Sequence, residues 1–291
     1  MSARLRMTKV TGFCLAAGAF LALAAQAQRQ TTPPPRAGSQ SPTGDDHTQV
    51  ARPVSVEVPA VNYYAQGKTK VEFSPTPLMP GARGQGRVQV SIEGSTSIKV
   101  QFTGLKDATR FGNEFLTYIL WGSVPKGRTL KISELVLKGD HWETVATTAL
   151  HTFAMMVTAE PYAAVTQPSS IVVLKGASAT NDTIQTASAQ IELLRDAYAP
   201  PGHSYEPLDT SSGYAPAFIQ AMNARRIAKA FQAENYAPQE FEAAEDLYQY
   251  MIRKLIQEKK ASKHLLRVAN NVAEIFEKAR IISVRRQQNG K

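Results

Sequence analysis

The hydrophobic period of this chain changes once, near residue 213, and that change constrains its fold more than any other feature. Before it, apolar residues alternate in short runs: Val54, Val56 and Val58; Val88, Val90 and Ile92; Ile98, Val100 and Phe102. Period two buries one face of a strand. Glu114 to Trp121 is a nearly continuous aromatic and aliphatic run, as expected of a central strand covered on both faces. Leu130-Ile132, Leu135-Leu137, Val145-Thr147, Phe153-Val157 and Ile171-Leu174 follow, separated by turns such as Gly94-Ser95, Pro125-Lys126-Gly127, Gly139-Asp140 and Gln167-Pro168-Ser169. Short strands without a helical period between them predict an antiparallel immunoglobulin-like β-sandwich over residues 51–176. Trp121, Phe102, Tyr118 and Phe153 would supply much of its core.

Residues 177–213 read as a linker with one candidate extra strand, Ala187 to Leu194, because Ala189, Ile191 and Leu193 alternate. Ala199-Pro200-Pro201-Gly202 and Asp209 to Gly213 read as exposed loop. From residue 214 to 288 the period is helical. Ala217, Ala221, Ala224 and Ala228 form a narrow small-residue stripe suited to close helix packing. A second helix starts at Pro238, which wastes no hydrogen bond in a first turn, and carries Phe241, Ala244, Met251 and Leu255 on one side. A third carries Leu265, Ala269, Val272, Phe276 and Ala279. Ser262 can cap that third helix, and the two apolar faces cover each other only if the chain turns there; one helix of about 50 residues is the rival reading. The expected class is therefore α+β: a sandwich followed by a two- or three-helix antiparallel bundle.

The N-terminus adds an address. Arg4, Arg6 and Lys9 precede an apolar run from Gly12 to Ala25, and Ala25-Gln26-Ala27 offers small residues where a signal peptidase reads them. Residues 1–27 read as a secretory signal. The run is too short for the roughly 20 residues that span a bilayer, and no later stretch is long enough, so a mature chain without transmembrane segments is expected. Cys14 is the only cysteine and lies near the start of the apolar run, where it does not suit a lipid anchor. A mature chain starting at Gln28 has no disulfide, so its stability has to come from an ordinary core. Residues 28–50, rich in Pro, Ser and Thr, read as a disordered linker. Of the net charge of +9, the signal carries three, leaving +6. That excess suits anionic partners such as phospholipid head groups; export argues against nucleic acid.

The chemistry-bearing residues do not form a recognised motif. His47, His141, His151, His203 and His264 are scattered without metal-ligand spacing, so no metal or other cofactor is expected. There is no Gly-x-Ser-x-Gly elbow. Gly81, Gly84 and Gly86 precede a strand, whereas a phosphate loop follows one, so they read as a loop between strands. Glu242, Glu245 and Asp246 lie early in a helix, where its dipole favours negative charge.

Two stretches carry resemblances. Thr152 to Pro161, with its Thr158-Ala159-Glu160-Pro161 turn, followed by Gln167-Pro168-Ser169-Ser170 and a valine-rich strand, resembles the extracytoplasmic β-domain of anti-sigma-K-type regulators. Tyr236-Ala237-Pro238-Gln239-Glu240-Phe241-Glu242-Ala243-Ala244-Glu245, with Asn223 to Ala228 before it, resembles a short helical domain found in bacterial envelope proteins. In that order the two are similar to the N-terminal region of OmpA-family envelope proteins, without the peptidoglycan-binding domain that usually follows. The resemblance implies an exported or periplasmic, non-enzymatic envelope protein with an interaction or scaffolding role. Its alternatives are an extracytoplasmic sensor binding a ligand or membrane signalling partner, and a hydrolase with a site in the strand loops. Ala217, Ala221, Ala224, Ala228, Arg280, Arg285 and Arg286 are the candidate residues for binding an envelope protein, a cell-wall component or a second copy through the helices.

Overall fold

The computed structural model describes residues 54–64, 67–178, 187–193, 198–211, 213–258 and 261–290; the expected signal and the linker at 28–50 lie outside them. The described residues are α+β, with strands first and helices after. The strands are β1 (Val54–Asn62), β2 (Lys68–Pro75), β3 (Arg83–Val90), β4 (Thr96–Thr103), β5 (Thr117–Ser123), β6 (Thr129–Glu134), β7 (Val136–Lys138), β8 (His141–Thr148), β9 (Thr152–Glu160), β10 (Val172–Ser178) and β11 (Ala187–Leu193). The extra strand expected after residue 186 is thus present, with Ala189, Ile191 and Leu193 turned inward.

All eleven strands belong to one antiparallel sheet, in the order β11-β1-β9-β10-β2-β3-β4-β8-β7, with β5 joined to β9 and β6 joined to β5. The expectation was two stacked sheets. The difference turns on Leu135. This buried residue gives its N–H to the Tyr118 carbonyl at 2.9 Å and separates β6 from β7. Before it the chain pairs with β5, and after it with β8. One kinked segment thus reaches from one end of the sheet to the other, and the sheet nearly closes like a barrel.

Packing explains the strands. Every residue of β5 is buried, as its unbroken apolar run requires. Trp121, Phe102, Tyr118 and Phe153 are all fully buried. Sequence reading passed over β2, because in Lys-Thr-Lys-Val-Glu-Phe the inward partners Thr69, Val71 and Phe73 alternate with charges. Gly84 and Gly86, read as loop, lie inside β3. A Cβ on Gly86 would stand 2.2 Å from the Lys99 carbonyl, and one on Gly84 would enter the Phe102 ring. These glycines let β3 approach β4 and its aromatic contact with Phe73.

The helices are α1 (Pro216–Ala230), α2 (Ala233–Tyr236), α3 (Pro238–Gln257) and α4 (Lys263–Asn289). That is one more than expected: left-handed Gln232 (φ 55°) separates α1 from the single turn α2. Pro238 occupies the first turn of α3. Ser262 caps α4, its hydroxyl accepting the Leu265 N–H at 3.1 Å. The chain therefore turns between α3 and α4, and Phe241 and Tyr248 meet the buried Phe276 ring at 5.5 and 6.3 Å. No helix among the described residues is long and apolar enough to cross a membrane.

Candidate functional site

Most of the residues singled out on the helices lie inside the molecule. Ala221, Ala224 and Ala228 are fully buried, Ala217 half-buried, and α1 packs chiefly on α4. The small side chains serve that internal contact and leave no stripe for a partner. Arg280 is buried as well. Its guanidinium holds Glu277 with two bonds of 2.7 Å and lies over the rings of Tyr198 and Phe231. Arg286 is exposed but donates to the Tyr236 carbonyl at 2.6 Å, a cation at the carbonyl end of α2. Arg285 remains exposed beside Lys278 and Ile281.

Arg280 belongs to a polar joint between helices and sheet. Tyr162, which follows β9, donates to Glu277 at 2.7 Å. Burial drives both the Tyr162 and Tyr198 phenols well above their ordinary range, so they stay neutral. Neighbouring α1 sends Gln220 to Glu134 of β6, and Asn223 to the carbonyls of Glu114 and Pro161 at 2.7 and 2.9 Å. Tyr205 lies buried in the linker, between the two stretches read as exposed loop; it donates to the Tyr198 carbonyl, and its own carbonyl accepts from Asn113. Sequence reading missed this anchor because two tyrosines seven apart have no period. These bonds put α1, α4 and the β9–β10 connection into one compact unit with the sheet.

Beside the joint sits Glu160, the acid of the Thr-x-Glu-Pro motif, which forms the end of β9 and not the expected turn. Trp121 donates to the Thr158 hydroxyl at 2.7 Å, Thr158 donates to Glu160 Oε1, and the Ser169 N–H reaches the same oxygen at 2.8 Å. The motif and the Gln-Pro-Ser turn are thus stapled to one another. Glu160 Oε2 has no partner in hydrogen-bond geometry. Burial pushes the carboxyl up to about 8, against the opposing pull of Thr158, Ser169 and Tyr198. A perturbed acid is a functional signal only where something can reach it. Glu160 is wholly buried, so its environment is that of a structural staple.

The open surface differs. On the outer face of β2, β3, β4 and β8, side chains stand in rows fixed by register. Lys70 is opposite Arg87, Arg87 opposite Lys99, and Lys99 opposite Val145. All four are exposed. The next row toward the β3–β4 turn holds Lys68, Gln89, Ser97 and Thr147; the next row away holds Glu72, Gln85, Gln101 and Glu143. None of Lys68, Lys70, Arg87 and Lys99 pairs with a carboxylate among the described residues, whereas Glu143 is held by Lys138. Like charges directly opposite on a sheet cost about 0.2–1 kcal/mol per pair, so folding alone gives no reason to place three cations in one row.

The histidines stay apart. His151 meets Thr96 at 3.1 Å, His141 meets Asp140 at 3.2 Å, and His203 meets the Tyr205 ring edge to face. Among the described residues no group of three metal-ligating side chains converges. Glu242 and Asp246 are exposed, and Glu245 pairs with Arg225 of α1 at 2.6 Å. Comparison with known protein families, with curated proteins and with solved structures finds no match.

Proposed function

We propose that this chain is an exported, non-enzymatic interaction or scaffolding protein of the cell envelope, working through its strand surface with the helices as a brace. The observation that carries the reading is the sorting of its charges. Arg280 and Glu277 are sequestered in a joint that fixes the helices on the sheet, while the cations of β2, β3 and β4, unpaired among the described residues, are presented on a broad open face. A rigid platform with an uncompensated charged face suits adhesion to a partner surface. The signal-like residues 1–27 and the likeness to the N-terminal region of OmpA-family envelope proteins support an envelope location. A relationship of the sheet to the extracytoplasmic β-domain of anti-sigma-K-type regulators belongs to the same reading, through the Thr-x-Glu-Pro and Gln-Pro-Ser motifs.

Cell fractionation followed by crosslinking in intact cells tests the proposal. Recovery in the envelope fraction with crosslinks to envelope components is the expected result. Recovery of the full chain in the cytosol, signal uncleaved, would overturn it. The second reading, a sensor module, draws on the Glu160 staple, which couples the β9–β10 connection to Tyr198. It predicts crosslinks to an inner-membrane signalling protein.

A further inference from the structure

We propose that the loop-proximal half of the outer face of β2, β3 and β4 docks on an anionic phospholipid surface. The inference rests on the envelope reading above and names the partner. Lys70, Arg87 and Lys99 lie in one row across three strands, and Lys68 lies one row nearer the β3–β4 turn. Adjacent strands are about 4.8 Å apart, so the three cations fall within about 10 Å. That is near the screening length of about 8 Å at physiological ionic strength, and their fields add. Each cation close to an anionic bilayer strengthens binding about fivefold.

The same end of the sheet carries apolar side chains, and these favour a lipid surface over a soluble polyanion. Ile92, in the β3–β4 turn, is fully exposed. Tyr64, ahead of β2, is two-thirds exposed, with its ring edge on His151. His151 bonds to Thr96, the first residue of β4, and the Val90 N–H bonds to the Gly67 carbonyl. Tyr64 and the β3–β4 turn therefore lie at the same end of the sheet as Lys68. An aliphatic tip and a tyrosine next to lysines match the layering of a membrane interface, where phenol and ammonium groups sit at head-group level. A dissolved polyphosphate would gain nothing from Ile92. The carboxylates near this face are Glu93 beside Ile92, and Glu72 and Glu143 one row further from the turn. They leave the half near the loops net positive.

The test is flotation of the full chain with vesicles of equal parts phosphatidylglycerol and phosphatidylcholine, against phosphatidylcholine alone. Binding to the first and not the second is expected. Substituting K70Q, R87Q and K99Q together should weaken it about a hundredfold. Substituting the exposed helical cations R253Q, K263Q and R267Q should weaken it far less, though net charge falls equally. Ile92→Ser should weaken vesicle binding about tenfold and leave binding to inorganic polyphosphate unchanged. All of these side chains are exposed, and circular dichroism would check that each variant folds. Equal loss in both triple variants would overturn the proposal, since net charge would then suffice. Binding to polyphosphate without binding to vesicles would overturn the lipid occupant. Failure to float, with envelope crosslinks intact, would sink this inference alone and leave the interaction reading standing.

Discussion

Two clusters of charged side chains lie on opposite sides of the burial line. In the joint, Arg280 is enclosed and both carboxylate oxygens of Glu277 are used. On the outer face, Lys70, Arg87 and Lys99 face one another across strands without counter-charges among the described residues. Water makes the difference. Enclosed charges lose hydration and survive only with partners; solvated ones are screened and stand beside like charges at small cost. The joint is therefore the place where losing one partner costs most, and the face is free to be specified by something outside the molecule.

The largest effect should come from Arg280→Ala. Glu277 would be left buried without its cation, a loss of about 3–5 kcal/mol, read as a shift of the urea midpoint. A loss under about 1 kcal/mol would place the joint in the same class as the face and break the contrast. Replacing both partners, Glu277→Leu with Arg280→Met, should recover most of the loss.

Glu160 sharpens the comparison through pH. Its carboxyl ionises near 8 in the folded chain, against 4.5 as the ordinary value. The folded state then keeps a proton that the unfolded state has released. The contribution of this group to stability should be greatest below about pH 4.5, fall as pH rises toward about 8, and level off beyond. The slope is at most about 1.4 kcal/mol per pH unit from this group. Glu160→Gln keeps an acceptor oxygen and cannot ionise, so it should flatten that decline. Thermal melts of both forms from pH 5 to pH 9 check this; parallel curves would contradict it.

Ser262→Ala removes the hydroxyl that caps α4 and should cost about 1 kcal/mol. An unchanged midpoint would mean that the turn is held by the packing of Phe241 and Tyr248 on Phe276 without the cap. The smallest effect on stability belongs to the face. Substituting K70Q, R87Q and K99Q together should raise stability by a few tenths of a kcal/mol up to about 1, because like charges are removed from facing positions. Marked destabilisation would show that the row has an internal structural role.

Local features were legible in the residues themselves. The buried β5 follows from an unbroken apolar run, β11 from three alternating residues, the start of α3 from Pro238 and the turn into α4 from Ser262. Each depends on neighbours within a few positions, where steric and capping preferences act. Almost none of the charged architecture was legible. Arg280 was expected at a partner-binding surface, yet Tyr162, Tyr198 and Phe231 surround it from three separate parts of the chain. The alanine stripe was recognised as a packing surface, but its partner, α4, could not be read from spacing.

By itself, then, the sequence determined most of the strands and helices and which face of each seeks cover; β2, the first half of β3 and the single turn α2 were not legible in it. Tertiary structure decided that a kink at Leu135 draws the sheet toward closure, that Gly84 and Gly86 serve strand approach, and that Lys70, Arg87 and Lys99 share a row. Backbone preference is set by a residue and its immediate neighbours. Register, enclosure and charge pairing are set by segments tens of residues apart, and they acquire their energies only when the folded chain brings those segments together.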